Sequence, residues 1–228
     1  LLCRYLLEDL HAAGAQTLRR VDCLALAREV LPRVLAATRC SAWAVSQQDE
    51  LNVGAGEAEG DFSTETFSAE TGEGEGEESI APAARVIING SWLTIKEVGA
   101  VTGRLARMLL TPGTQREDGG GRAREEVAAI LERLGDNLLE ILEEVKHNGA
   151  SEKAHLGLTD LVGPLLETGD PKLEGMPYAW LSRLRRHALR PHQTGSDIVR
   201  RSAGLPFALV ALAKAEPKGL PKKLLPLG

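Results

Sequence analysis

The sequence predicts an all-α fold, an armadillo- or HEAT-like α-solenoid segment that carries a disordered acidic insertion. Aromatic residues make up only 4% of the 228 residues, whereas leucine and alanine are frequent, a composition typical of closely packed helices. Apolar residues recur at spacings of three, four and seven in successive segments, and no segment shows convincing strand alternation. The segments are joined mostly by short links, which favours stacked helix pairs over a four-helix bundle.

The pattern divides the chain into four parts. We assign residues 1–45 to N-terminal helices of the array, 46–83 to the acidic insertion and 84–217 to the main helical-repeat domain. Residues 218–228 begin a further helix or form a truncated end. The chain starts in mid-pattern without methionine, so we expect it to be a piece of a larger protein.

The N-terminal part predicts two helices. Leu2 to Ala13 forms the end of one helix, with Gly14 as its stop signal. Asp22 caps a second helix that runs to about Val45. Pro32 lies inside this second pattern and predicts a kink or a break after Leu31.

The acidic insertion lacks the residues of a packed core. Between Cys40 and Ala84 there are 11 acidic residues and no lysine or arginine. Ordering each backbone residue costs about 1–2 kcal/mol, which so few apolar side chains cannot offset. A glycine-rich phosphate loop at Thr71 to Glu78 is the alternative, but it lacks Gly-Lys-Ser/Thr and its glutamates repel phosphate.

Four further helices are predicted before residue 190. Their expected bounds are Ala84–Leu110, Arg124–His147, Ser151 to about Leu166, and Tyr178–His187. Asn148-Gly149 reads as a C-cap and Ser151 as the next N-cap, while Thr168 to Pro171 forms a turn.

Ile198 to Pro217 predicts a buried helix entered through a basic, closely packed segment. Asp197 or Ser202 can cap it, and Pro206 is tolerable only near its first turn. Glu216-Pro217 ends the helix, because the residue before proline is pushed out of the α region.

The net charge of −5 hides a basic domain. Of the 32 acidic residues, 11 lie in the insertion region, so 21 remain against 27 basic residues, a net charge of +6. Arginine presents a planar fork that suits phosphate, so clustered arginines indicate a nucleic-acid or partner surface. The alternative is a solvated face paired with acids of the same chain. The candidates are Arg183, Arg185, Arg186, Arg190, Arg200 and Arg201.

Enzymatic chemistry has little support in this sequence. Cys3, Cys23 and Cys40 lack Cys-x-x-Cys spacing, so a reducing compartment fits and a disulfide framework or zinc site does not. The five histidines form no metal-binding pair, and no nucleophile elbow or dinucleotide motif occurs. No stretch is apolar enough to span a membrane. We therefore expect no catalysis, no metal, no cofactor and no membrane contact.

Three stretches, in matching order, resemble the thyroid adenoma-associated protein (THADA) family. Ser91-Trp92-Leu-Thr-Ile-Lys96-Glu97-Val98 is similar to its tryptophan-x-x-x-lysine-glutamate helix. Asn148 to Gly157 looks like the segment that follows. Arg200-Arg-Ser-Ala-Gly-Leu-Pro-Phe207, with the apolar helix to Pro217, resembles the family signature. The resemblance covers about Arg85 to Pro217.

This resemblance implies a large, armadillo-like, non-catalytic protein of the cytoplasm. Members of this family act with an S-adenosylmethionine-dependent methyltransferase that 2′-O-methylates ribose in the tRNA anticodon loop. The implied partners are therefore that methyltransferase subunit and tRNA, and no cofactor is bound. The acidic insertion and the short linker from Gly113 to Gly121 depart from the family pattern.

Our hypothesis is a scaffold segment that helps present tRNA to the methyltransferase. Arg200 and Arg201 are the first candidates for a phosphate or inter-repeat contact, and the other four arginines are the second. The alternative is a protein–protein scaffold with no RNA role, whose basic patch holds an acidic partner segment. The residues to which we assign a structural role are Trp92, Lys96, Glu97, Ser202, Gly204, Pro206 and Phe207.

Overall fold

The computed structural model describes residues 22–52, 82–111, 120–145, 148–189, 204–217 and 224. Across these ranges every regular element is an α-helix, which confirms the all-α fold class. The first three helices are α1 (Cys23–Asn52), α2 (Pro82–Leu110) and α3 (Gly120–Glu144). The others are α4 (Asn148–Glu167), α5 (Pro171–Ala188) and α6 (Gly204–Ala215). The first predicted helix and most of the acidic insertion lie outside the described residues.

Helix α1 begins as predicted but does not break. The Asp22 carboxylate accepts a hydrogen bond from the backbone N–H of Ala25 at 2.9 Å, so Asp22 is the N-cap. The helix continues through Pro32, which is exposed, and reaches Asn52 rather than Val45. A proline removes one backbone hydrogen bond, and the packing of a long helix can offset that loss.

The capping prediction between α3 and α4 is wrong. Asn148 and Gly149 open α4 instead of closing α3. Ser151 lies inside α4, where its buried hydroxyl donates to the carbonyl of Val145 at 3.3 Å. The hydroxyl thus binds a carbonyl at the end of the preceding segment instead of the N–H groups of its own helix.

Helix α5 begins earlier than its apolar pattern indicates. Gly169 has φ +71°, which places the turn in the left-handed region. Asp170 follows as the N-cap and accepts from the N–H of Lys172 at 2.9 Å. Pro171 then occupies the first helical position, where its missing N–H is not needed. The turn prediction is confirmed, but the helix starts at Pro171 rather than Tyr178.

Alternate helices lie side by side and run in the same direction. Arg28 contacts Glu126 and Thr38 contacts Asn137, so α1 and α3 advance together along their lengths. His155 and Phe207, followed by Thr159 and Ala211, show the same parallel arrangement for α4 and α6. The helices therefore form two layers, α1–α3–α5 and α2–α4–α6. The assignment as an α-solenoid of the armadillo or HEAT type stays a prediction.

The most extensive contact joins α2 to α4 at a crossing of glycines. The backbones of Gly99 and Gly157 lie so close that a Cβ on Gly157 would fall 2.8 Å from the carbonyl oxygen of Gly99. A Cβ on Gly103 would lie 2.5 Å from the Cβ of Asp160. Arg107 then binds the same Asp160 carboxylate at 2.6 Å. This close approach fixes how the second layer is assembled.

One continuous apolar core lies between the layers. Leu105, Leu131, Leu138 and Leu158 are fully buried, and the core takes residues from all six helices. One polar pair is buried among them, since Asn137 donates to the Thr38 hydroxyl at 3.0 Å. None of the described helices is long and apolar enough to cross a membrane.

Candidate functional site

The C-terminal end of α5 carries three of the six arginines singled out from the sequence. Asp170, Pro171 and Glu174 favour the start of this helix, and Arg185, Arg186 and His187 occupy its last turn. Cations at a helix C-terminus interact favourably with the helix dipole. The helix dipole alone is therefore a reason for positive charge at this end, apart from any contact with an external partner.

Arg183 is engaged by acidic residues of the same chain. Its Nη2 and Nε atoms lie 2.5 and 3.2 Å from the two carboxylate oxygens of Glu143, and its Nη1 atom lies 3.4 Å from Asp136. The hydrogen bond with Glu143 raises the pKa of Arg183 further above its ordinary value. The Glu143 side chain is only 12% exposed, so this bidentate pair ties α5 to α3.

Arg185 and Arg186 are exposed. Arg186 donates from Nε to the carbonyl of Ser182 at 3.4 Å, one turn earlier. Neither arginine forms an ion pair with an acidic side chain in the described part of the chain. Their guanidinium groups are therefore accessible to a ligand, whereas that of Arg183 is occupied.

The remaining basic candidates fall outside the described residues. Arg190, Arg200 and Arg201 belong to this group, as does Ser202. Their assignment as phosphate or partner contacts stays a prediction from the sequence.

Trp92, Lys96 and Glu97 lie on α2 in unlike surroundings. Trp92 is half-buried and donates from Nε1 to the side-chain oxygen of Asn89 at 3.3 Å. Lys96 is exposed, whereas the neighbouring Glu97 is half-buried. Adjacent helical positions point about 100° apart, which explains this difference. The structural role assigned to Trp92, Lys96 and Glu97 from the sequence stays a prediction.

The signature segment Gly204-Leu-Pro-Phe207 opens α6 and packs against both layers. A Cβ on Gly204 would overlap the backbone of Leu142 on α3, so only glycine permits this approach. The Phe207 ring stacks on His155 of α4 with 5.2 Å between ring centroids. Pro206 is exposed in the first turn, where proline is tolerated.

The C-terminal end of α6 is held by a buried carboxylate. Glu216 follows the last helical residue, as predicted from Glu216-Pro217. Its Oε1 atom accepts a hydrogen bond from the backbone N–H of Leu224, which is itself buried. The charge pattern of the sequence did not indicate this role, because a glutamate before proline is usually read as solvent-exposed.

The described ranges contain no group of three or more His, Cys, Asp or Glu side chains that could hold a metal ion. Burial raises the pKa of the Cys23 thiol, which keeps it in the less reactive protonated form.

The six helices, with alternate members packed in parallel, place the chain in the class of all-α helical-repeat segments. The chain belongs to the family described as THADA/TRM732, DUF2428, which matches residues 22–227. The resemblance drawn from the three motifs is therefore confirmed.

Named relatives agree with this membership. The tRNA (32-2'-O)-methyltransferase regulator THADA of Gallus gallus is 31% identical over 137 residues, which cover 59% of this chain and 7% of the relative. The Homo sapiens protein of the same name is 29% identical with the same coverage. The Drosophila melanogaster protein is 33% identical over 95 residues, 40% of this chain and 5% of the relative. The chain thus spans about 7% of the length of the first two. No solved structure matches.

Proposed function

We propose that this chain is part of a non-catalytic helical-repeat scaffold that supports 2′-O-methylation of tRNA by a partner methyltransferase. Family membership and the relatives' description as methyltransferase regulators support this proposal. The observation that carries the RNA contact is the exposed pair Arg185 and Arg186, which has no acidic partner among the described residues. Each guanidinium adds a salt-dependent phosphate contact.

The proposed tRNA surface combines this pair with basic residues chosen from the sequence. Arg190, Arg200 and Arg201 are the additional candidates, and Arg183 is assigned to holding α5 against α3. A tRNA bound by this surface would be positioned for a methyltransferase that brings its own S-adenosylmethionine. The scaffold would then act by orienting substrate, which can contribute several kcal/mol to catalysis without chemistry of its own.

Filter binding of tRNA over a range of salt concentrations tests the contact. We expect R185E/R186E to weaken binding and to lower the slope of log K against log salt by about 1–2, because two phosphate contacts are lost. R200E/R201E should behave in the same way. The matched control is R122E/R124E, a double reversal of exposed residues near the start of α3. Because α3 and α5 run parallel, the start of α3 lies far from the C-terminal end of α5.

A methylation assay with the partner enzyme separates the two classes of function. If charge reversal reduces both tRNA binding and 2′-O-methylation, the RNA role stands. If methylation falls while tRNA binding and its salt slope stay unchanged, the surface contacts a protein. The alternative, a protein–protein scaffold whose basic patch holds an acidic segment, would then replace our proposal. An equal loss in R122E/R124E would show that the effect is not specific to α5.

A further inference from the structure

A groove lies between α1 and α3. Arg39 and Trp43 lie one turn apart on α1, and Glu140 and Glu144 lie one turn apart on the neighbouring stretch of α3. The groove has a volume of about 250 Å³. Because the two helices run parallel, these pairs face each other across it. The remaining lining residues are Thr38, Ala42, Ile141 and Val145.

The walls of the groove have two distinct chemistries. Its floor is apolar, since Ile141 and Val145 are buried members of the core. Its rim carries the Trp43 indole, which is 67% exposed, and the exposed carboxylates of Glu140 and Glu144. A tryptophan with so large an exposed fraction is unusual on a water-facing surface and is typical of residues that anchor interfaces.

The rim charges favour a cation. Glu140 and Glu144 contribute two negative charges against the single positive charge of Arg39. Arg183 of α5 also interacts electrostatically with Glu140, but its guanidinium group is bound to Glu143 and Asp136. A lysine or arginine entering the groove would lay its methylene stem on the apolar floor and its charge against the indole and the carboxylates. A phosphate would instead meet two carboxylates, so RNA is disfavoured here.

The size of the groove favours a single side chain. Sites for small molecules usually enclose about 300–1,000 Å³, more than this groove provides. We propose that the groove formed by Arg39, Trp43, Glu140 and Glu144 binds a lysine or arginine side chain presented by a partner protein. This protein-binding site is separate from the proposed tRNA surface and does not depend on it.

Fluorine NMR of the fluorotryptophan-labelled protein tests the proposal. The probes are two synthetic peptides with the same leucine spacing, one with arginines and one with glutamates at the other positions. The Trp43 resonance is identified by its absence in W43F. We expect the arginine peptide to shift this resonance and the glutamate peptide to leave it in place. E140Q/E144Q should weaken binding of the arginine peptide about fivefold.

Replacing Arg39 tests whether the occupant of the groove is a cation or an anion. R39Q should tighten binding of the arginine peptide about twofold, because it removes a like charge from the rim. An anionic occupant would require the opposite effect. The matched control is E125Q/E132Q, which neutralises two exposed glutamates elsewhere on α3 and should leave the affinity unchanged.

A preference for the glutamate peptide would overturn the proposal, as would a tRNA-induced shift of the Trp43 resonance that R39Q abolishes or the absence of any shift with the arginine peptide. Thermal unfolding of each variant shows whether the fold is intact, and all substituted side chains are exposed. A loss of peptide binding caused by R185E/R186E would also count against this site, because those residues lie outside the groove.

Discussion

Arg183 and Arg186 lie one turn apart on α5, yet their surroundings differ. Arg183 is held between two acids of α3, whereas Arg186 faces solvent. A run of arginines in a sequence does not reveal this division, because it depends on which acids the neighbouring helix presents. The fold thus separates a structural arginine from accessible ones within one short helix.

Replacing Arg183 by methionine should destabilise the protein. The Glu143 carboxylate, largely buried, would lose its bidentate partner, and we expect the free energy of unfolding to fall by about 1–3 kcal/mol. Urea denaturation followed by circular dichroism measures this change. R185M is the control, since an exposed substitution should stay within about 0.5 kcal/mol of the parent. Equal stability of the two variants would refute the assignment of Arg183 as a structural residue.

His155 should make stability depend on pH. Burial against α6 lowers its pKa below the ordinary value of about 6.5, so the folded state favours neutral imidazole. The unfolded state therefore binds more protons as the pH falls below about 6.5, and stability decreases from there towards the folded-state pKa. Lys214 of α6 adds to this effect, while Glu152 opposes it.

The H155F variant measures that contribution. The free energy of unfolding should fall less steeply between about pH 6.5 and 5 in H155F than in the parent, because one titrating group is removed. The four other histidines are present in both proteins, so their effects cancel in the difference. Identical pH profiles would show that His155 does not contribute.

At the scale of elements, glycine decides how closely α2 and α4 approach. G157A should lower the free energy of unfolding by about 1–3 kcal/mol, since its Cβ would press on the backbone of Gly99. G90A is the matched control on α2, because no atom lies within 4 Å of the added methyl group. There we expect a gain of about 0.5–1 kcal/mol from helix propensity. A gain in both variants, measured by urea denaturation, would contradict the tight crossing.

Sequence periodicity identified all six described helices but misplaced several of their ends. The period is a property of a helix interior, so it predicts the existence of an element better than its first and last residues. Asn148 and Ser151 have strong capping chemistry, yet packing of α4 against its neighbours carried the helix past both. Asp22 and Asp170 each cap a helix, as the preference of aspartate for the N-cap position predicts, and both capping hydrogen bonds are exposed.

At the scale of the whole molecule, the continuous core predicts cooperative unfolding. The tryptophans lie on three helices: Trp43 on α1, Trp92 on α2 and Trp180 on α5. Since these helices share one core, tryptophan fluorescence and far-ultraviolet circular dichroism should report the same urea midpoint. Two separated midpoints would show that one end of the array unfolds independently, as longer repeat arrays do.

The sequence alone determined the helical class, the family and the location of positive charge. These depend on local periodicity, on motif order and on composition, all of which are written along the chain. Only the tertiary structure decided which arginine is engaged, why Gly204 must be glycine and that Trp43 and Glu140 line one groove. The physical reason is that each of these contacts joins residues distant in sequence, and a single helix's pattern shows which face is apolar but not what the neighbouring helix presents.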